Sequence, residues 1–285
     1  MKLNGVWLPI VTPFVNDKVD FESYRSLIDY YIPTGISGLM PLGTTGETPT
    51  LEEDEYEELI EKTMEYVNGR VPVIVGMGGN STHKVVKMLK IAERNKVQGI
   101  LSVSPYYNRP DQRGIYEHFL RISEATDLNI VLYNIPYRTG RNIENSTIRK
   151  LAELKNIIGI KDACGDIKQT TDLLMNRPDN LSIMTGEDIF LYNTLLMGGD
   201  GGVLASAHIN TEKFVKMYEY TQQNDARAAL DIWKDLYKII PLLFEEPNPS
   251  PIKYYLYKKG LIKSEEVRLP LVNISENLRA KIDRI

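Results

Sequence analysis

Asn156-Ile157-Ile158-Gly159-Ile160-Lys161-Asp162 is the stretch on which the reading of this chain turns. It is apolar almost throughout, the pattern of a strand buried on both faces, as in a barrel or a doubly wound parallel sheet. It ends on a lysine. A lysine that closes an apolar strand either snorkels to solvent or sits desolvated, and desolvation favours the neutral amine that attacks carbonyls. Taken alone, the residue reads more readily as an exposed lysine paired with Asp162.

Working outward, short runs rich in Val and Ile recur at 6–12, 38–42, 73–76, 99–103, 130–134, 157–161, 181–185 and 201–205. Segments with helical spacing separate them, and such alternation is the signature of parallel strands with helical crossovers. Eight strands predict a (β/α)8 TIM barrel. The alternation stops near residue 210, and a helical pattern over 226–240, a Pro-rich break at 245–251 and two further amphipathic stretches follow. The expected organisation is therefore a barrel over 1–224 that carries the chemistry and a C-terminal helical extension over 225–285. Thr50-Leu51-Glu52-Glu53 reads as a capping box, and Asn80-Ser81-Thr82 as a helix cap.

Composition excludes several classes. The 285 residues, 42% of them hydrophobic, suffice for a large core, and the formal charge of -4 favours neither nucleic acid nor an acidic membrane face. Cys164 is the only cysteine, so no internal disulfide forms and a reducing compartment fits. The N-terminal residues lack a secretory h-region, and no apolar run nears the roughly 18 residues of a membrane span. A cytoplasmic protein is expected. His83, His118 and His208 lie far apart, outside any metal-ligand spacing, so no metal is expected.

In a barrel the reactive groups gather at the C-terminal ends of the strands. Besides Lys161, three strand ends are unusual. Tyr133-Asn134-Ile135-Pro136-Tyr137-Arg138-Thr139-Gly140 offers a phenol that can move a proton and a guanidinium that can clamp a carboxylate; it reads equally as a satisfied core tyrosine and a solvated arginine. Gly43-Thr44-Thr45-Gly46-Glu47 suits an anion cradle of amides and hydroxyls. It lacks the Gly-Lys-Ser/Thr ending of a phosphate loop, so a small carboxylate fits better than a nucleotide. Ser104-Pro105-Tyr106-Tyr107-Asn108-Arg109-Pro110 holds two tyrosines stiffly, to project a phenol or to pack a subunit contact.

In this order and spacing, these motifs, with Glu246-Pro247-Asn248-Pro249-Ser250-Pro251-Ile252-Lys253, resemble the dihydrodipicolinate synthase and N-acetylneuraminate lyase family of pyruvate-dependent aldolases. The likeness covers essentially the whole chain. It implies a lyase in which Lys161 forms an imine with pyruvate and Tyr133, Thr44 and Tyr107 relay protons. Tyr107 would reach across from a neighbouring subunit of a homotetramer, a dimer of dimers. The resemblance further implies that Thr45 binds the pyruvate carboxylate, that Gly186 and Val203 line the pocket, and that no cofactor is needed.

Arg138-Thr139-Gly140 resembles the synthase branch, where that arginine is associated with the carboxylate of L-aspartate 4-semialdehyde. The implied pathway is lysine and diaminopimelate biosynthesis. The alternatives are a 2-keto-3-deoxy sugar acid aldolase or N-acetylneuraminate lyase type, and a non-catalytic keto-acid-binding barrel. Where feedback-sensitive members bind lysine, this chain keeps Asn80 and Tyr106 but carries Lys84 in place of a glutamate, and Glu53 and Tyr56 in place of histidines. A cation at position 84 repels a lysine ammonium, so weak or absent inhibition is expected.

Overall fold

The computed structural model describes Met1–Ile285. Eight parallel strands form its sheet: β1 (Gly5–Leu8), β2 (Gly38–Leu39), β3 (Ile74–Gly76), β4 (Gly99–Val103), β5 (Asn129–Asn134), β6 (Ile157–Asp162), β7 (Ser182–Thr185) and β8 (Gly201–Val203). Their order is β2-β1-β8-β7-β6-β5-β4-β3. Gly5 N–H donates to Asp200 O at 2.9 Å and Leu204 N–H to Trp7 O at 3.0 Å, tying β1 to β8, while Leu39 N–H donates to Pro72 O at 3.0 Å just ahead of β3. The fold is the (β/α)8 barrel with a C-terminal helical extension. All eight strand readings find a strand, most of them shorter at the ends than the apolar runs. A two-stranded antiparallel hairpin, Phe14–Val15 with Lys18–Val19, was not foreseen.

By contacts the chain divides into two compact units, one of Met1–Gly5 with Val73–Val203 and one of Val6–Pro72 with Leu204–Ile285. In the first, the β5–β6 register shifts between Ile130 and Val131: Ile157 lies opposite Ile130, but Gly159 lies opposite Val131. One extra residue in β6 thus aligns Lys161 with Tyr133, and without it Lys161 would face Asn134. In a pleated sheet a slip of one residue exchanges the two faces, so this irregularity puts phenol and amine on the same side.

The second unit holds the helical tail. The helix begun at Ala226 runs to Leu243, three residues past the expected end, carrying Pro241 within its last turn. Tyr254, Ile274, Leu278 and Ile282 then bury together as a satellite core. Two cap readings need correction. Pro49 sits in a 3-10 turn over Thr48–Thr50, where Thr50 Oγ1 donates to Glu47 O, so the helix starts only at Glu53 and Glu52 N–H donates to the Glu55 carboxylate at 3.0 Å. Ser81 occupies the N-cap of Thr82–Arg94 without a side-chain cap bond.

Candidate active site

Lys161 lies in β6 and is 7% exposed. Its Nζ stands 4.4 Å from the centre of the Tyr133 ring and has neither an ion pair nor a hydrogen bond within the chain. The expected alternative, a pair with Asp162, does not form. Asp162 points elsewhere, accepting from Thr170 Oγ1 at 2.6 Å and Cys164 N–H at 3.2 Å, and burial raises its carboxyl above the usual range. The Cys164 thiol is pushed up to about 11, by burial and then by Asp162, so it is a poor nucleophile.

Space for the lysine comes from Gly186, just beyond β7. A Cβ there would lie 2.7 Å from Lys161 Cε and 2.8 Å from its Cγ, closer than carbon atoms approach. Any larger residue would displace the amine. Val203, fully buried, ends β8.

Arg138 is exposed on the short helix Pro136–Thr139, its guanidinium 5.4 Å from the Tyr137 ring centre. Tyr107 is 89% exposed and has a φ of 69°, a left-handed conformation that a bulky residue adopts only under constraint. The constraint is visible in the two residues that follow. Asn108 Nδ2 donates to Asn80 O at 2.9 Å and Arg109 Nε to Gly140 O at 2.9 Å.

In the second unit, Gly43–Glu47 folds as overlapping turns, with Gly46 N–H donating to Gly43 O and Glu47 N–H to Thr44 O, both at 3.1 Å. Leu42 (φ 61°) and Glu47 (φ 53°) are left-handed. The amides of Thr44 and Thr45 carry no hydrogen bond within the chain. Thr45 Oγ1 accepts from Asn248 Nδ2 at 3.0 Å, which orients the Thr45 hydroxyl. Behind them Glu47 and Lys253, both fully buried, pair at 2.5 Å.

The structure thus carries an unpaired buried amine against a phenol on adjacent parallel strands, and two free amides in a strand-end loop. The chain belongs to the dihydrodipicolinate synthetase family. The model of that family matches residues 2–285. The chain is 62% identical over 284 residues to 4-hydroxy-tetrahydrodipicolinate synthase 2 of Clostridium acetobutylicum, covering 100% of this chain and 99% of the relative. It superposes with a TM-score of 0.96 on the dihydrodipicolinate synthase of Thermotoga maritima, at 40% identity over 100% of this chain and 97% of that one. A monomeric dihydrodipicolinate synthase variant matches with the same score at 40% identity, covering 99% and 95%.

Against this family background, the residues expected from sequence fall into two groups. Lys161, Tyr133, Arg138, Gly186, Val203 and Tyr107 belong to the first compact unit; Thr44 and Thr45 belong to the second. Sequence reasoning missed Glu187, which directly follows Gly186 at a strand end, and missed the partnership of Glu47 with Lys253. The first carried a positional signal. The second spans 206 residues and carried none. No group of three or more His, Cys, Asp and Glu side chains is arranged to hold a metal ion, and no helix is long and apolar enough to cross a membrane.

Proposed function

We propose that this protein acts as a 4-hydroxy-tetrahydrodipicolinate synthase, condensing pyruvate with L-aspartate 4-semialdehyde through a Schiff base on Lys161. The observation that carries this reading is the buried Lys161 amine, lacking any acid partner and lying against Tyr133. Its neutral form adds to the pyruvate ketone, and loss of water gives an iminium. The positive nitrogen draws electrons from the neighbouring carbon, a methyl proton leaves, and an enamine forms. The enamine carbon bonds to the aldehyde carbon, whose oxygen takes up a proton. The product's own amine then displaces Lys161 by transimination, closing the ring. The lysine supplies the electron sink, so these steps call for no cofactor.

Tyr133, with Thr44 and Tyr107, is assigned the proton traffic. Thr45, through its free amide and oriented hydroxyl, is assigned the pyruvate carboxylate. Arg138, exposed and without an acid partner, takes the carboxylate of the aldehyde. The exposure and constrained backbone of Tyr107 support a homotetramer in which that phenol enters a neighbouring subunit's site. Residues 225–285 are assigned a bracing role, through Asn248 and Lys253, on the loop that holds Thr45. Lysine and diaminopimelate synthesis in the cytoplasm is the setting this chemistry fits.

Pyruvate with borohydride should add a permanent mass to the native protein and none to Lys161→Ala. A coupled assay with L-aspartate 4-semialdehyde against sugar-derived aldehydes decides the second substrate. Absence of the adduct from native protein, or preference for a sugar aldehyde, overturns this reading.

A further inference from the structure

The loop after β7 carries a charge that the steps above do not use. Glu187 is half-buried, and its backbone is pinned: Thr185 Oγ1 donates to Glu187 O and accepts from Glu187 N–H, both at 3.1 Å, while Phe190 N–H donates to Glu187 O at 2.9 Å. It directly follows Gly186, whose Cα abuts the Lys161 side chain. Its carboxylate accepts no hydrogen bond and forms no ion pair within the chain. Burial and then Asp188 raise its carboxyl above the ordinary range, while Lys161 and, more weakly, Arg138 pull it back down. Its place directly after Gly186, on a pinned backbone, sets Glu187 beside the proposed nucleophile. A carboxylate partly withdrawn from water, with no donor of its own, gains from an arriving cation.

The aldehyde substrate brings one. L-Aspartate 4-semialdehyde carries a carboxylate and an ammonium on the same carbon, and Arg138 answers only the first. Of the other acids nearby, Asp162 is committed to Thr170 and Cys164, and Asp188 is buried. We propose that Glu187 is a specificity-determining residue that accepts the α-ammonium of the aldehyde while Arg138 holds its carboxylate. The inference rests on the reading under Proposed function. It explains how a site built around a pyruvate imine selects an amino aldehyde over a sugar aldehyde of similar length.

The test compares two aldehydes in Glu187→Gln, which keeps the side chain's shape and removes its charge. Succinate semialdehyde has the same aldehyde and carboxylate but no ammonium. For Glu187→Gln, kcat/KM with L-aspartate 4-semialdehyde should fall about 10- to 100-fold, the loss of one charge-assisted hydrogen bond. The rate at which succinate semialdehyde forms its lysine-linked condensation adduct, which lacks the amine needed for transimination and is read by mass in a single turnover, should stay within about twofold of native, as should the borohydride-trapped pyruvate adduct. Glu187→Asp, which keeps the charge, should recover most of the loss. Equal losses with both aldehydes, or no loss with either, would overturn the proposal. Native protein that forms the adduct but does not turn over L-aspartate 4-semialdehyde would instead sink the function reading, whatever the variant does.

Discussion

Lys161 and Lys253 are both buried, and only one of them meets an acid. Lys253 is completely enclosed: Nζ donates to Glu47 Oε1 at 2.5 Å and to Glu266 O at 2.7 Å, and lies 4.1 Å from the Phe14 ring centre. Arg268 stacks on the same ring, and its N–H donates to Glu47 Oε2 at 3.0 Å. Burial pulls the Lys253 ammonium down to about 8, with Glu47 pulling the other way. Every polar atom of the pair is satisfied, so it has no chemistry left to offer a substrate. Lys161, 7% exposed, lies against the Tyr133 ring with no hydrogen bond or ion pair, and the Glu187 carboxylate is near enough to couple to it. Burial alone therefore does not mark a candidate nucleophile: Lys253 is the more enclosed of the two, but its donors are already taken, whereas the Lys161 amine has none committed.

The sharpest way to break this contrast is to remove each lysine in turn. Lys161→Ala should lose about 10³-fold or more in turnover while melting close to the native temperature, since it deletes the proposed nucleophile and strands no ion-paired partner. Lys253→Met should do the reverse. It strands the Glu47 carboxylate in the interior and should cost about 3–5 kcal/mol of stability in denaturant unfolding, with adduct formation surviving wherever the protein stays folded. If Lys253→Met abolished the adduct in fully folded protein, the two lysines would not be functionally distinct. Pairing it with Glu47→Gln should return about half or more of that stability, because the stranded charge goes with it.

Histidines extend the comparison to buried groups held neutral. Burial lowers His118 and His208 from 6.5 to about 4 each. A depressed folded value means that both rings are neutral in the fold and take up protons on unfolding. Their contribution is complete above about pH 6.5 and is lost as pH falls toward about 4, by up to ~3 kcal/mol per ring. Unfolding titrations across that window should show the fall, and His118→Gln should remove roughly half of its slope. The smallest effect expected is on regulation. With an exposed ammonium at Lys84, free lysine at modest concentration should inhibit weakly or not at all, and a full inhibition curve would contradict this.

The strand ends were legible because a barrel places candidate groups there: Lys161, Tyr133 and Thr44 each stand at or just past the end of an apolar run, whereas Gly186 came only from the family resemblance. Helix starts were less legible. Thr50 looks like a cap by composition, but Pro49 fixes a 3-10 turn there and defers the helix to Glu53. Glu187 carried only its position after a strand end, which gains meaning once its electrostatic neighbours are known.

By itself the sequence determined the eight apolar runs and the lysine that closes the sixth, because hydrophobic period is a local property. Only the tertiary structure decided that Tyr133, not Asn134, lies opposite Lys161, and that Glu47 answers Lys253. Both are relations between separate segments: one extra residue in β6 sets the first, and a contact across 206 residues sets the second. No local pattern encodes either, since register and counter-charge are chosen only when strands and loops pack.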